Sequence, residues 1–354
     1  ITCVSIFSDS PLLSLESSLF FFRFILFSII IFYIFSIKSD VVIGFNYILF
    51  LLIALFFLDS CIQFYFGKNI IGYVYNKPRL SSFFGDELIL GSFFFKLLPI
   101  FIFINYILQI KKFKFLNELF LFFIIIMIIF SGDRAAAFLS ILFLTSILLF
   151  TNIFGNSVRN KILLFFSILT LISSTVFLSS NLHSRYIQTT INDFNFSISN
   201  FSGIRLFSHE HESIYHTSIK MFNDKPLFGH GPKTFRLKCK DPKFHNIGGC
   251  NTHPHNFYLQ LLSETGLIGF SFLMFLYLFV LLKTFKNYYR YMFTKKNLNF
   301  VENAETLFFT FFLLYFFPII PTGNVFSNYN NSIIFLILGF YFSKEILKNY
   351  YYNK

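Results

Sequence analysis

The amino-acid sequence predicts an all-α protein, a bundle of helices that crosses a membrane several times. Hydrophobic residues make up 55% of the 354 residues and charged residues 13%, and the mean hydropathy is +0.65, values typical of integral membrane proteins. Several windows reach or approach the roughly 20 apolar residues with which a helix crosses a hydrocarbon core about 30 Å thick. They predict nine spans, near 19–37, 41–58, 88–109, 116–131, 135–152, 162–179, 257–282, 304–320 and 332–347.

The short connections between these spans differ in positive charge, and the difference predicts an orientation. Basic residues concentrate after the third, fifth and seventh spans, which by the positive-inside rule places those connections in the cytoplasm. The residues concerned are Lys111, Lys112, Lys114, Arg159, Lys161, Lys283, Lys286, Arg290, Lys295 and Lys296. Counting spans outward places 59–87, 132–134, 180–256 and 321–331 on the opposite side.

This topology divides the chain into three predicted parts. Residues 1–179 hold N-terminal transmembrane helices with the external connection 59–87, residues 180–256 form one large external loop, and residues 257–354 hold C-terminal transmembrane helices. Because an external tail precedes the first span, we expect further spans before Ile1.

The large loop 180–256 holds all eight histidines and many more basic than acidic residues. That balance suits an anionic partner; the alternative is a solvated basic loop attracted to anionic lipid headgroups. Within it, 209–223 predicts an amphipathic helix that lies against the membrane surface. One face of this helix is a mainly apolar stripe of Ile214, Ser218, Met221 and Phe222.

Two glycines follow this helix, between Pro226 and Pro232. Gly229 and Gly231 permit a positive φ or the close approach of a ligand to the backbone. We therefore take both as candidate substrate-binding residues.

Cys239 and Cys250 are separated by ten residues in the predicted external loop. Their position favours a disulfide, since disulfides persist outside the cytoplasm. By the loop-entropy model this closure contributes about 3 kcal/mol, and it would hold the approach to the later histidines in place. The alternative is two free thiols, as we expect for Cys3 and Cys61.

The histidines and cysteines also suggest zinc, but their spacing argues against it. Structural zinc usually uses Cys-x2–4-Cys or His-x3–5-His pairs, and catalytic zinc needs three ligands and an open position. The His-x-His pairs at 209/211 and 253/255 fit neither arrangement. There is also no glycine-rich phosphate loop ending in Gly-Lys-Ser/Thr and no Gly-x-Ser-x-Gly turn. We expect no metal, no cofactor and no nucleic-acid partner.

Four short motifs occur in order along the chain. They are Ser131-Gly-Asp-Arg134, Gly203-Ile-Arg205, Pro226-Leu-Phe-Gly-His-Gly231, and His255-Asn256 followed after nine residues by Gly266-x2-Gly269. In residues, order and loop context they resemble the O-antigen ligase and polymerase superfamily. Shorter similarities extend to 63–67 and 79–87.

The resemblance implies a helical, metal-independent membrane glycosyltransferase of the bacterial inner membrane. Its donor would be a glycan linked to polyprenyl (undecaprenyl) diphosphate, used on the periplasmic side. The acceptor would be a hydroxyl of the lipid A core in a ligase, or the next lipid-linked repeat unit in a polymerase.

Side-chain chemistry indicates which residues would serve such a transfer. A departing diphosphate needs charge stabilisation, which arginine provides through a bidentate fork; Arg134 and Arg205 are the candidates. The attacking hydroxyl needs a base or a positioning group, and His255 is the candidate because it directly precedes Asn256 in the motif. His253 would bind substrate or orient the loop.

Other residues complete the predicted site. Asn256 would cap the following helix or bind substrate, and Arg79 and Glu87 would complete the donor or acceptor site. We interpret Glu264 as a partner for an arginine, because a carboxylate within a span must be paired or face a polar cavity. Gly266 and Gly269 would let helices approach closely.

Each of these assignments has a simpler alternative. Arg134 would be an interfacial anchor that reaches lipid headgroups, and Arg205 would pair with Glu210 or Glu212. A histidine would cap the helix that begins near 256. Arg79 and Glu87 would belong to an internal ion-pair network.

Two other classes of protein also fit a chain with many spans. A flippase or permease for lipid-linked sugars tends to place polar residues at the bilayer midplane in broken or repeated helices, whereas here they concentrate in one external loop. A membrane scaffold needs no His-Asn pair at the start of a helix. We therefore favour the glycosyltransferase.

Overall fold

The computed structural model describes residues 1–108, 114–192, 209–293 and 298–352, which are mainly helical. Within those ranges only isolated β-bridges occur, between Lys68 and Val74 and between Asn76 and Arg79. The helices are α1 (Thr2–Ile6), α2 (Pro11–Ser18), α3 (Phe22–Ile37), α4 (Val41–Phe66), α5 (Leu90–Leu108), α6 (Lys114–Phe130), α7 (Arg134–Phe150), α8 (Val158–Leu178), α9 (Ser180–His183), α10 (His209–Asp224), α11 (Phe235–Lys238), α12 (Phe257–Phe293), α13 (Phe300–Tyr315) and α14 (Asn328–Tyr352). A 3₁₀ turn (Ser82–Phe84) precedes α5, and a π-helical turn (Ser184–Gln188) follows α9.

The predicted all-α membrane fold is confirmed, since a helix lies at each of the nine apolar windows. Among the described residues, five segments are long and apolar enough to cross a membrane: Pro11–Ile37, Val41–Phe66, Leu90–Leu108, Val158–Leu178 and Phe257–Phe293. Shorter apolar helices occur at Phe115–Phe130 and Arg134–Phe150. The count of nine spans and their orientation stay predictions.

Helix α4 continues eight residues past its predicted end at 58, to Phe66. It ends at Gly67, whose φ of 76° gives the left-handed cap and whose N–H donates to the Gln63 carbonyl at 3.0 Å, a common way to end a helix. The polar residues in this extra length are buried and hold the following connection. Asp59 accepts hydrogen bonds from the Ile70 N–H (2.9 Å) and the Ser82 hydroxyl (2.5 Å).

The described residues form two compact units by their internal contacts. The first unit is made of the described residues within 31–196, 284–314 and 340–354. The second is made of the described residues within 1–30, 197–283 and 315–339. The predicted division into three topological parts stays a prediction.

In the first unit, α5 is the buried helix, since 78% of its apolar window is inside. It contacts α4, α6 and α7, and its fully buried side chains are large and apolar: Leu90, Phe94, Leu98, Ile100 and Phe103. Helix α8 is the opposite case, with 11% of its window buried. An apolar helix with so little protein cover suits a surface that faces lipid.

The second unit has its own apolar core outside the long helix. Ile214 and Met221 of α10 are buried together with Phe235, Cys239 and Phe244, and a disulfide joins Cys239 to Cys250. The apolar stripe of α10 thus lies in a protein core, and the expectation that the helix lies against the membrane surface stays a prediction. The apolar face of α10 packs against residues 235–250. This packing removes the apolar surface of the helix from water, which stabilises the unit.

The N-terminal residues also belong to this second unit. The Ser8 hydroxyl donates to the His230 carbonyl at 2.8 Å, and the Ser14 hydroxyl donates to the Pro232 carbonyl at 3.0 Å. Asp9 pairs with Lys225, with Lys238 (3.2 Å) and with His230 Nδ1 (2.7 Å). Burial alone would raise the pKa of Asp9, but hydrogen bonds from Lys225, His230 and Lys238 hold it well below its usual range. This tail is thus a built part of the unit.

Candidate active site

The turn between α6 and α7 is tightly packed. Gly132 has a φ of 63°, and a Cβ there would come within 2.9 Å of the Pro78 carbonyl oxygen, so only glycine allows the connection 67–89 to approach. Asp133 caps α7 by accepting the Ala136 N–H at 3.1 Å, which satisfies one of the free donors at a helix start. The turn therefore fixes where α7, and Arg134 as its first residue, begins.

Three half-buried arginines gather around this turn, and we call Arg79, Arg134 and Arg185 the arginine cluster. Each guanidinium donates to a neutral acceptor: Arg79 Nη2 to the Leu88 carbonyl (3.0 Å), Arg134 Nη1 to the Thr190 hydroxyl (3.1 Å) and Arg185 Nε to the Gly132 carbonyl (3.0 Å). Arg79 Nε is buried and has no hydrogen-bond partner among the described residues.

The arginines are close enough to repel one another. The pKa of Arg185 is lowered by burial first and then by the positive charges of Arg134 and Arg79, with Asp133 opposing them. Lys96 of α5, only 4% exposed, also lies within electrostatic range of Asp133. An anion bound here would relieve this repulsion and receive several charge-assisted hydrogen bonds, so the cluster suits a phosphate group.

One predicted member, Glu87, does not join the arginine cluster. Glu87 is exposed, and its backbone groups bond to Phe84 and Ile89 at 3.1 and 2.9 Å. Arg205 lies outside the described residues, so its part in the site stays a prediction.

The second unit brings together three histidines, and we call His211, His253 and His255 the histidine cluster. The ring centroids of His253 and His255 lie 4.1 Å apart, and those of His211 and His255 lie 5.7 Å apart. His255 has a φ of 56°, unusual for a residue with a side chain. Its carbonyl accepts the Thr322 N–H at 2.7 Å, which holds the backbone in this conformation.

Asn256 anchors the histidine cluster to the start of α12. Its Oδ1 accepts the N–H groups of Tyr258 (3.0 Å) and Leu259 (3.1 Å), so Asn256 and not a histidine is the cap. Its Nδ2 donates to the Pro318 carbonyl at 2.7 Å. At 4% exposure, this side chain positions its neighbour, His255, rather than facing a ligand.

Burial keeps the histidine cluster uncharged. Burial, reinforced by His255 and Arg236, lowers the pKa of His253 to about 3. Burial and the neighbouring His211 lower the pKa of His255, and burial lowers that of His211 although Glu210 opposes it. A neutral imidazole can accept a proton from a hydroxyl. The cluster therefore suits general-base chemistry at neutral pH.

Glu264 of α12 is bound by backbone and amide groups, and Arg236 lies within electrostatic range of it. Its carboxylate accepts the Phe235 N–H (2.9 Å) and Gln260 Nε2 (3.0 Å), and within the described ranges no arginine forms an ion pair with it. Gln260 also donates to Asn324 Oδ1 at 2.9 Å. The buried carboxylate thus ties α11 to α12. Its hydrogen bonds offset the cost of burying a polar group.

The glycines of two predicted motifs meet each other. Gly266 leaves helical geometry (φ 62°, ψ −161°) and interrupts α12, and a Cβ there would lie 2.3 Å from the Leu227 carbonyl oxygen. A Cβ on Gly229 would lie 2.5 Å from the Glu264 carbonyl carbon. The expectation that Gly266 lets two helices approach is wrong, since a loop occupies the break.

The remaining glycines also serve contacts within the chain. A Cβ on Gly231 would lie 1.9 Å from Ser8 Oγ, and one on Gly269 would lie 1.9 Å from the Thr265 hydroxyl. Protein atoms therefore fill the space that we expected a ligand to approach at Gly229 and Gly231. Gly269 faces its own helix and not a neighbouring one.

Several residues of these clusters were not singled out from the sequence. Arg185 follows an apolar window on the predicted external side, which is a usable signal for an interfacial cation. His211 and Arg236 carry no such signal, because their proximity to His253 and His255 arises only from the folded loop. Among the described residues, no group of three or more His, Cys, Asp or Glu side chains could hold a metal ion.

Comparison with known families gives one result. Residues 119–274 match the model of a family described as O-antigen ligase. This region is similar to the O-antigen ligase superfamily. The matched region of this O-antigen ligase domain contains Arg134, Arg185 and the whole histidine cluster, and Arg79 lies before it. No curated protein matches the chain. The predicted resemblance is confirmed, and with it a membrane glycosyltransferase of the ligase or polymerase type is supported.

Proposed function

We propose that this protein transfers a glycan from a polyprenyl (undecaprenyl) diphosphate carrier to a hydroxyl of the lipid A core, on the periplasmic face of a bacterial inner membrane. The observation that carries the proposal is the arginine cluster, which gathers three guanidiniums around the start of α7. Two of the three lie within the O-antigen ligase domain.

The arginine cluster has the chemistry to recognise the donor. Its guanidiniums are fixed by Leu88, Thr190 and Gly132, so little side-chain freedom is lost when they bind phosphate oxygens. When the bond between the sugar C1 and the diphosphate oxygen breaks, the electron pair stays on the diphosphate. Fixed positive charge stabilises that developing charge.

The histidine cluster has the chemistry to activate the acceptor. The acceptor oxygen forms the new bond to C1, and its proton passes to a ring nitrogen of neutral His255. General-base assistance of this kind contributes about 10²–10⁴-fold to the rate. Asn256 and Thr322 hold His255 in place while it accepts the proton.

The test is transfer in a cell that lacks its own O-antigen ligase but makes lipid-linked glycan. Wild type and His255→Ala are compared by lipopolysaccharide gel, with His245→Ala as the matched control because His245 is exposed in the same loop. Long-chain lipopolysaccharide with wild type and His245→Ala, and none with His255→Ala, supports the proposal.

Two other results would assign a different function. Lengthened glycan that stays on the polyprenyl carrier would indicate a polymerase. Unchanged lipopolysaccharide and unchanged carrier glycan with wild type, in cells whose membranes contain the protein, would contradict glycan transfer.

A further inference from the structure

Two nitrogens beside the histidine cluster are buried without partners. Arg236 Nε and His253 Nε2 are each inaccessible to water, and neither has a hydrogen-bond partner among the described residues. Buried donors without partners are rare in folded proteins, because each costs about 1–3 kcal/mol. Two of them in one place indicate a position that a ligand completes.

The fold holds Arg236 and His253 near each other. Arg236 belongs to α11, whose Phe235 N–H is bound by Glu264 at 2.9 Å. The disulfide between Cys239 and Cys250, with Cα atoms 5.0 Å apart, ties the end of α11 to the residues just before His253. Arg236 consequently lies within electrostatic range of the His253 ring.

Arg236 lies within electrostatic range of the Glu264 carboxylate but forms no salt bridge with it. In the described part of the chain no carboxylate forms an ion pair with its guanidinium. The Glu264 oxygens are already bound by Phe235 N–H and Gln260 Nε2. A guanidinium fixed in a half-buried position without a salt bridge is suited to a bidentate oxyanion.

His253 presents a donor in the same place. Its Nδ1 lies 3.0 Å from the Thr252 hydroxyl, which also lies 3.4 Å from Asn251 Oδ1. In the tautomer in which that hydroxyl donates to the nearer Nδ1, the neutral ring carries its proton on Nε2. A neutral imidazole can thus donate to an oxyanion without first becoming charged. This matters because the neighbouring His255 ring, 4.1 Å away, would repel a second positive charge.

We propose that Arg236 and His253 form a subsite for an oxyanion, a phosphate ester or a sugar carboxylate, on the substrate whose hydroxyl reacts at His255. The identity of that substrate rests on the proposed function; the oxyanion site itself does not. Binding the anionic group would orient the neighbouring hydroxyl toward His255, so Arg236 acts as a specificity-determining residue. Acceptors that carry a charged group would be preferred over neutral ones.

The test uses purified protein with ¹⁵N-labelled histidine rings, titrated with inorganic phosphate and separately with glucuronate. The ring signals of His253 are assigned with His253→Gln. We expect phosphate or glucuronate to shift the His253 signals in wild type, and Arg236→Gln to weaken the affinity about tenfold or more. Whichever anion binds more tightly identifies the source of the oxyanion.

Controls separate this subsite from the arginine cluster and from misfolding. Arg185→Gln leaves the His253 response intact, because Arg185 belongs to the arginine cluster. Arg236→Lys keeps the charge without the planar fork and gives an intermediate affinity; it serves if Arg236→Gln does not fold. Unchanged His230 signals report an intact loop.

Three results would overturn the proposal. They are no shift with either anion in wild type, an equal response in Arg236→Gln, and an equal response to neutral glucose. The titration needs no glycan donor, so a failed transfer assay does not affect it. A failed titration likewise leaves the transfer proposal standing.

Discussion

In the arginine cluster three guanidiniums are held by two backbone carbonyls and one hydroxyl, whereas in the histidine cluster three imidazoles are buried against one another. The first arrangement concentrates charge and leaves donors available for an anion. The second excludes charge, since burial lowers the pKa of each ring. One chain thus contains a region suited to stabilising a leaving group and another suited to accepting a proton.

The largest expected effect is on kcat, from a substitution in the histidine cluster that does not change donor binding. His255→Gln should lower kcat for glycan transfer by about 10²–10⁴-fold, the contribution of general-base assistance, and should leave the KM of the lipid-linked donor nearly unchanged. The measurement is transfer in proteoliposomes at several donor concentrations. A higher donor KM with unchanged kcat would mean that His255 binds the donor.

Loss of the disulfide should affect the second unit, which contains the histidine cluster. Cys239→Ser with Cys250→Ser should lower the free energy of unfolding by about 3 kcal/mol, the loop-closure contribution, and impair transfer. Cys61→Ser, a free thiol in α4, is the control. Thermal melting of the purified proteins, with and without reductant, compares the stability of the double variant with that of the control. Equal melting of the double variant and the control would show that the core of Ile214, Met221 and Phe244 needs no covalent support.

Arg185→Gln should weaken donor binding and also lower kcat, because the lost guanidinium would have bound the diphosphate and stabilised the charge that develops on it. A hydrogen bond to a charged group contributes about 1.5–3 kcal/mol, so the donor KM should rise about tenfold or more. Arg185→Lys should recover only part of the affinity, since lysine lacks the bidentate fork. Arg159→Gln, exposed near the opposite end of α8, is the matched control. An equal change in Arg159→Gln would indicate a general charge effect.

The smallest expected effect concerns stability in mild acid. Because the folded pKa values of His253 and His255 are lowered, the unfolded chain binds more protons below pH about 6.5. The free energy of unfolding should therefore fall as the pH drops from about 6.5 toward 4. His253→Gln should show a shallower fall and His245→Gln the wild-type slope. Thermal melting across this pH range checks the sign, and stability that rises on acidification would contradict buried neutral histidines.

Local patterns made much of the helical fold predictable. Apolar windows located the helices, and Asn256 was a predicted cap because its residue type and position suffice for capping. The end of α4 was misplaced because Asp59 and Gln63 looked like polar residues leaving the membrane. In the structure both are buried and bind the following connection.

The clusters were predictable only in part, because they depend on contacts between residues distant in sequence. His255 and Arg134 lie within recognisable motifs. The pairing of Asp9 with His230 joins residues 221 positions apart, and no local pattern encodes it. Gly266 was taken for a helical residue because a single glycine in an apolar window is compatible with an unbroken helix.

The interruption at Gly266 bears on how the protein accommodates bilayers of different thickness. Helices in membranes adjust to hydrophobic mismatch by tilting, and a continuous rod would carry the residues at its end along an arc. In α12 the backbone leaves helical geometry at one residue, so the stretch before Gly266 and the stretch after it are separate rods. The first rod is held by Pro318, Asn324 and Phe235. The Leu267 N–H donates to the Pro226 carbonyl at 2.8 Å, so the start of the longer rod is tied to the same loop. We therefore expect a change in the inclination of the longer rod to be absorbed at the break before it reaches His255.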